Sequence, residues 1–150
     1  MTAAVTRADI VAEARAWLGT PWQHQARSKG VAVDCAGLVI GVSRVLGLVS
    51  AGMDVTHYPR MPDGRSLIAH CDEWMRRIPA AAAQPGDVLV MRFDVHPQHL
   101  AIVADYPHGG LAIVHALDSR DRTRARVVEH RLTPALRAKV VAAYALPGVA

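Results

Sequence analysis

The sequence predicts an α+β fold in which helices come first and a mostly antiparallel sheet follows. In the first half of the chain, apolar residues recur at three- and four-residue steps, the pattern of helices with one buried side. After Gln84, short runs rich in Val, Ile and Leu alternate with turn sequences, as is typical of strands. The 150 residues, 51% of them apolar, suffice for one core, so we expect a single domain over 1–150.

Three helices are predicted in the first half. Their signals are Thr6 with Asp9 and then Gly19 for the first, Asp34 and then Gly47 for the second, and Leu67 to Ile78 before Pro79 for the third. The predicted buried face of the first helix comprises Ile10, Ala14, Trp17 and Leu18. That of the second comprises Cys35, Leu38, Val39, Val42, Val45 and Leu46. Ser43 and Arg44 are therefore predicted to face outward.

Five strands are predicted after Gln84. They are DVLVMRF (87–93), HLAIVADY (99–106), LAIVHAL (111–117), VVEHRL (127–132) and VVAAYAL (140–146). The turn sequence PHGG joins the second and third of them. Thr133 and Pro134 fit the N-cap and first position of a short helix before the last strand.

Cys35 stands at the predicted start of the second helix. Asp34 directly precedes the apolar run and is a good N-cap, so Cys35 takes the first helical position, beside unpaired backbone N–H groups. Such a position, with an imidazolium nearby, lowers the pKa of a thiol and favours the nucleophilic thiolate. The alternative is that Cys35 is a small buried core residue, as free cysteines usually are. Cys71 lies in the apolar stripe of the third helix and is predicted to pack in the core as a free thiol.

Two histidines are candidates for a base and its orienting partner. His99 begins the second predicted strand and His115 lies late in the third, so a hairpin brings both to one end of the sheet. We predict that Cys35 Sγ gives its proton to His99, while His115 holds the His99 ring in the productive tautomer. Either histidine alone is also explained as a polar residue at a strand end. His96, which precedes Pro97 in a turn, is the rival base.

Short motifs, in the right order across residues 10–146, resemble the NlpC/P60 family of cysteine peptidases. The matching segments are Asp34-Cys35-Ala36-Gly37-Leu38-Val39, Pro85-Gly86-Asp87, His99-Leu100-Ala101-Ile102 and Val114-His115-Ala116. The resemblance implies a papain-like α+β fold, with the cysteine helix packed on an antiparallel sheet that supplies both histidines. It also implies hydrolysis of peptidoglycan stem peptides, commonly at the bond between D-γ-glutamate and diaminopimelate. We expect a thioester intermediate and no cofactor.

Further segments are similar to a phage-type branch of that family, found in phage tail modules and gene transfer agents. They are Gly19-Thr20-Pro21-Trp22, His24-Gln25, Val33-Asp34-Cys35 and Tyr58-Pro59-Arg60-Met61-Pro62-Asp63-Gly64. This resemblance implies phage-like tail or baseplate proteins as partners. Asp9, Glu13 and Arg15 stand where a signal peptide would be apolar. We therefore expect synthesis in the cytoplasm without a signal peptide, association with the virion or tail, and action in the periplasm on the cell wall.

Four residues near the cysteine form the predicted oxyanion- and substrate-binding set: Trp22, His24, Gln25 and Asp34. Where many relatives have a tyrosine that helps to position the oxyanion, this chain has Trp22, whose indole N–H donates but cannot accept. Gln25-Ala26 replaces the usual Gly-Gly before the cysteine motif. The first predicted oxyanion donor is the Cys35 backbone N–H, and the second is either Trp22 or Gln25.

Two other classes of function compete with a peptidase. The first is a zinc-dependent hydrolase, with candidate ligands Asp94, His96, His99 and either Cys35 or His115. No C-x-x-C or H-E-x-x-H motif accompanies these residues, so we expect no metal. The second is a structural tail component that keeps the fold without catalysis.

Hydropathy and charge limit the remaining partners. No run of about 18 apolar residues occurs, so we expect no membrane span. The net charge of +4 favours approach to anionic polymers without specifying one. Nucleic-acid binding would rest on Arg120, Arg122, Arg124 and Arg126. Since no aromatic residues alternate with these arginines to stack on bases, we expect no nucleic-acid partner.

Overall fold

The structure is a computed structural model that describes residues 3–56, 58, 65–93 and 98–149. Within these ranges, three of the four helices pack on one face of a six-stranded antiparallel sheet, and the short fourth helix packs on the other. The helices are α1 (Arg7–Arg15), α2 (Cys35–Val45), α3 (Ser66–Trp74) and α4 (Pro134–Arg137). The strands are β1 (Arg27–Ser28), β2 (Ala32–Val33), β3 (Arg76–Ile78), β4 (Val88–Met91), β5 (His99–Asp105), β6 (Leu111–Leu117), β7 (Arg126–Arg131) and β8 (Val140–Ala145). None of the described helices is both long and apolar enough to span a membrane.

The predicted α+β class is confirmed, but the predicted count of five strands is wrong. The main sheet of the described residues has six, in the order β3-β8-β4-β5-β6-β7, and the added strand β3 lies at its edge. The apolar pattern predicts helix as far as Ile78, whereas α3 ends at Trp74 and Met75 is already extended, with φ −130° and ψ 165°. Pro79 disfavours helical geometry at Ile78, and the extended backbone there pairs with Ala143 of β8.

The start of α1 is the predicted capping motif. Thr6 Oγ1 accepts a hydrogen bond from the Asp9 backbone N–H, and the Asp9 carboxylate accepts one from the Thr6 backbone. The helix ends at Arg15, before the predicted apolar face is complete. Trp17 is nevertheless buried in the core, whereas Leu18 is 44% exposed and does not belong to that face.

The second helix, α2, is buried on most sides because α1, β1 and the main sheet all contact it. A Cβ at Gly41 would lie 2.4 Å from the Trp17 indole, so a glycine is needed for this close approach. Ser43, predicted to face outward, is buried and donates to the Val39 carbonyl at 2.7 Å. Val45, predicted to be buried, is 56% exposed. The one-sided pattern is therefore wrong in the last turns of α2.

The two faces of the sheet carry different side chains, and this division positions the candidate site. Leu100 and Val114 lie on the face that packs under α1 and α2. Successive side chains of a strand alternate between faces, so His99 and His115 project from the opposite face, which also carries Ile113. The histidines therefore lie across the sheet from the body of α2.

Candidate active site

Cys35 begins α2 beside the start of β5, and the predicted N-cap at Asp34 is confirmed. The register between β5 and β6 begins at Ile102, so the start of β5 extends beyond that ladder. The half-buried Cys35 thiol donates to the carbonyl oxygen of Gln98, with Sγ 3.9 Å from that oxygen. The Leu100 backbone N–H also interacts with this sulfur. The predicted nucleophile therefore contacts the backbone on both sides of His99.

The two predicted imidazoles meet at one end of the sheet. His99 Nε2 lies 2.7 Å from His115 Nδ1, and the ring centroids are 4.9 Å apart. Both side chains are buried, at 6% and 1% exposure. Because His99 Nε2 is engaged with His115, Nδ1 is the ring nitrogen with which His99 would take a proton from Cys35. The backbone at the start of β5 therefore lies between the Cys35 sulfur, which contacts it from the α2 side, and the His99 ring on the other face.

A third histidine, His130, continues this row onto β7. His115 Nε2 lies 3.0 Å from His130 Nδ1, and the His130 side chain is exposed. The register pairs His115 with Val128, and His130 follows two residues later on the same face. His130 lies in a predicted strand but has no role predicted from the sequence. Residues two apart in a strand share a face, so His130 lies on the same face as Val128 and therefore next to His115.

Burial controls the protonation of Cys35. It raises the pKa of the Cys35 thiol to about 12, and the nearby Asp34 carboxylate acts in the same direction. The backbone N–H groups of Leu100 and Ala36 oppose this rise but do not overcome it. The predicted lowering of the thiol pKa is therefore wrong for the resting protein, in which the thiol keeps its proton.

Burial also controls the two inner histidines. It lowers the pKa of His99 to about 4 and that of His115 to about 3. Repulsion from His99 and His130 contributes further to the lowered pKa of His115. At neutral pH the resting site therefore holds a neutral thiol and neutral inner imidazoles rather than a thiolate–imidazolium pair.

Asp34 organises the loop in front of Cys35. Its buried carboxylate accepts hydrogen bonds from Gly37 N (2.7 Å), Gln25 N (2.7 Å), Arg27 Nη1 (2.8 Å) and Tyr58 Oη (2.7 Å). Gly37 of the cysteine motif is close-packed here, since a Cβ would lie 2.3 Å from the Ala26 carbonyl oxygen. Asp34 thus ties the start of α2 to two segments distant from it in sequence.

The other predicted substrate-binding residues surround Asp34. The Gln25 side-chain amide donates to the carbonyls of Thr56 (2.7 Å) and Tyr58 (3.3 Å), so it holds that segment in place. The half-buried His24 places Nδ1 4.0 Å from Asp34 Oδ2, with its ring edge-on to Tyr58. The half-buried Trp22 pairs through its backbone with Val33, the residue before Asp34. Its carbonyl accepts from Arg122, whose guanidinium lies 5.8 Å from the indole centroid.

Comparison with solved structures identifies the fold. No known family profile matches the sequence, and no curated protein matches it. The NlpC/p60 domain of peptidoglycan hydrolase SagA aligns with a TM-score of 0.65 at 21% identity, over 95% of this chain and 100% of that one. An NlpC/P60 family protein from Bacillus cereus ATCC 10987 aligns with a TM-score of 0.64 at 17% identity. That alignment covers 94% of this chain and 40% of the other.

The chain has the NlpC/P60 fold. An N-acetylmuramoyl-L-alanine amidase from Bacteroides uniformis ATCC 8492 also aligns, with a TM-score of 0.54 at 13% identity, over 96% of this chain and 99% of that one. The predicted fold is therefore confirmed. Within this NlpC/P60 fold, α2 carries Cys35 of the present chain, while β5 and β6 carry His99 and His115.

Two residues near the cysteine of this NlpC/P60 fold were not assigned roles from the sequence. Arg27 donates to Asp34 and Asp54, and the Tyr58 hydroxyl donates to Asp34. Burial, together with the Asp34 carboxylate, raises the pKa of Tyr58. Tyr58 begins the Tyr58–Gly64 motif of the sequence, of which residues 59–64 lie outside the described ranges. Arg27 and Tyr58 complete a buried polar cluster in front of α2.

The rival predictions at this site involve residues that the structure describes only in part. Asp94, His96 and Pro97 lie outside the described residues, so the rival base and the zinc hypothesis remain predictions. Among the described residues, no three His, Cys, Asp or Glu side chains form a group that could hold a metal ion. Among the four arginines considered for nucleic-acid binding, Arg122 forms an ion pair with Asp118, with Nη1 2.8 Å from Oδ1.

Replacing Asp34 by alanine is expected to destabilise the NlpC/P60 fold by about 3 kcal/mol or more, because it removes a helix cap and a buried partner of Arg27. Urea unfolding would measure this loss. Asp54→Ala is the matched control, since it removes the other carboxylate on Arg27, one that is 34% exposed. That substitution is expected to cost under about 1 kcal/mol. Equal losses of unfolding free energy in the two variants would mean that the buried contacts of Asp34 do not stabilise the fold more than the exposed ones of Asp54.

Proposed function

We propose that this chain is a cysteine peptidase that hydrolyses peptidoglycan stem peptides. The observation that carries the proposal is the buried His99–His115 pair, whose nitrogens lie 2.7 Å apart, with Cys35 in contact with the backbone next to His99. A nucleophile, a base and an orienting residue in this order are the minimum for acyl transfer by a thiol. The NlpC/P60 fold supports the same class, because the aligned proteins include a named peptidoglycan hydrolase and a named amidase.

Acylation starts from the neutral site. The Cys35 thiol proton passes from its hydrogen bond with the Gln98 carbonyl to His99 Nδ1, and Sγ attacks the amide carbon of the substrate. The oxyanion forms near the start of α2, where first-turn backbone N–H groups have no intrahelical partner. The carbon–nitrogen bond then breaks, and His99 returns the proton to the departing amine. A thioester on Cys35 remains.

Deacylation uses the same groups in reverse. Water attacks the thioester carbon while His99 Nδ1 accepts its proton, the carbon–sulfur bond breaks, and Cys35 regains the proton. The candidates for the second oxyanion donor stay Trp22 and Gln25. Gln25 would have to release a present contact to serve, since its backbone N–H donates to Asp34 and its side-chain amide to the carbonyls of Thr56 and Tyr58.

We further propose the bond between D-γ-glutamate and diaminopimelate as the target, and phage-like tail or baseplate proteins as the carriers. In this scheme the chain is made in the cytoplasm and acts on the cell wall from the tail, in the periplasm. The segments around Trp22 and Val33 that resemble the phage-type branch support this view. The net charge of +4 also favours approach to an acidic wall polymer. Detection of the chain in purified tail particles, rather than in soluble extract alone, tests the carrier.

Incubation of the purified, reduced protein with isolated peptidoglycan tests the activity. We expect new amino groups, and mass spectrometry of the soluble fragments should find a free diaminopimelate amine where the bond was cut. Iodoacetamide should abolish the release and a metal chelator should not. No release by correctly folded protein would favour a structural tail component, while chelator-sensitive release would favour the zinc hydrolase.

A further inference from the structure

The row of imidazoles does not stop at the pair used in the proposed mechanism. Three adjacent strands each contribute one ring to the same face of the sheet: His99 from β5, His115 from β6 and His130 from β7. The two contacts repeat one pattern, with Nε2 of one ring facing Nδ1 of the next, at 2.7 Å and 3.0 Å. The ring centroids are 4.9 Å and 5.1 Å apart. The buried end of the row lies beside Cys35 and the other end at the surface.

This repeated pattern couples the tautomers of the rings. A neutral imidazole carries one proton, so each ring donates from one nitrogen and accepts at the other. If His99 accepts at Nδ1, it must donate from Nε2 to His115 Nδ1. His115 then carries its proton on Nε2 and donates it to His130 Nδ1. His130 in turn keeps its own proton on Nε2, toward solvent.

We propose that His130 is a positioning residue, which holds His115 in the tautomer that lets His99 act as the base. This inference rests on the proposed function. His115 is only 1% exposed, so an Nε2–H without an acceptor would be a buried unsatisfied donor. The alternative tautomer of His115 would place its proton on Nδ1, facing His99 Nε2. Two N–H groups would then meet across 2.7 Å unless His99 also changed tautomer and lost its free Nδ1 acceptor.

Two substitutions of His130 separate this role from simple packing. His130→Ala removes the acceptor, whereas His130→Asn keeps one, because the asparagine Oδ1 occupies the place of the imidazole Nδ1. His108→Ala is the control, since it removes an exposed histidine that lies on the β5–β6 turn outside the row. His130 is exposed, so all three variants are expected to fold.

Nitrogen-15 NMR of the substrate-free protein at alkaline pH reads the tautomers directly. We expect His115 to carry its proton on Nε2 in the parent protein, in His130→Asn and in His108→Ala, and to be a mixture of tautomers in His130→Ala. In peptide hydrolysis we expect kcat to fall about tenfold in His130→Ala with KM unchanged, and to recover in His130→Asn. A base fixed in the wrong tautomer would lose roughly 10⁴-fold in rate. The loss expected here is smaller, because water can enter the place of the exposed His130 ring and accept from His115 Nε2 in part of the molecules.

Several results would overturn the inference. They are a parent His115 protonated on Nδ1, unchanged spectra and kcat in His130→Ala, or an asparagine variant that behaves like the alanine variant. Because the NMR experiment needs no substrate, it also separates the two proposals. An inactive parent protein with the expected tautomers would refute the proposed peptidase activity and leave the tautomer assignment in place.

Discussion

Replacing Cys35 by alanine is expected to lower peptidoglycan hydrolysis by at least about 10³-fold, because no other group can form the acyl intermediate. Cys71→Ala is the matched control. Cys71 is also a free cysteine, and burial raises its pKa to about 12, as it does for Cys35. The two thiols thus share a raised pKa, but Cys35 is half-buried at the start of α2, whereas Cys71 lies in α3 within the apolar core, as predicted.

Initial rates of amine release, with folding checked by thermal unfolding, would measure the difference. Cys71→Ala is expected to keep near-parent kcat, with a cost of about 1 kcal/mol in stability from the smaller side chain. Hydrolysis that persists in Cys35→Ala would exclude the thioester mechanism. An equal loss of rate in folded Cys71→Ala would mean that the loss in Cys35→Ala does not come from removing a nucleophile.

The parts of the site that could be predicted are those governed by local backbone chemistry. Asp34 caps α2 because a short acceptor side chain stands directly before an apolar helical run, a pattern complete within a few residues. His99 and His115 could be placed together because a short turn links their strands. With so few residues between the strands, the pairing follows from counting outward from the turn.

The parts that could not be predicted depend on contacts between distant segments. Arg76–Ile78 has an apolar spacing compatible with a helix, and its choice of strand follows from pairing with β8, far along the chain. Tyr58 reaches Asp34 across 24 residues of irregular chain. His130 joins the imidazole row through β7, and the long connection before that strand does not determine its register. In each case the deciding partner lies outside any local pattern.

The charge state of Cys35 also could not be predicted from the local sequence pattern. The cap and the helix terminus are visible in the sequence, but only the helix terminus acts in the predicted direction, through the Ala36 N–H, whereas the Asp34 carboxylate raises the pKa of Cys35. The depth of burial is not visible, and it is the larger effect, because removing an anion from water costs more than one or two N–H contacts return. A motif can therefore identify a nucleophile without indicating its resting protonation.

Acidification toward pH 4 is expected to destabilise the fold through His99 and His115. In the unfolded chain each histidine binds a proton near pH 6.5, whereas in the folded protein the pKa values are lowered to about 4 and about 3. Between pH 6.5 and about 4 the unfolded state therefore binds more protons, and the free energy of unfolding falls as the pH falls. Each histidine contributes up to about 1.4 kcal/mol per pH unit, so the pair approaches about 3 kcal/mol per unit.

Urea unfolding at pH values across this window would measure the slope. The carboxylates with lowered pKa values, such as Asp9 and Asp54, lose their contribution mainly near and below their ordinary pKa of 3.8, so most of the slope between pH 6.5 and about 5 comes from the histidines. The double variant of His99→Gln and His115→Gln is expected to lose most of the slope. His108→Gln, which replaces a histidine on an exposed turn, should keep it. A parent protein whose stability does not change across the window, or a double variant with the parent slope, would show that the two rings are not held neutral by burial. The base in the proposed mechanism would then start as an imidazolium.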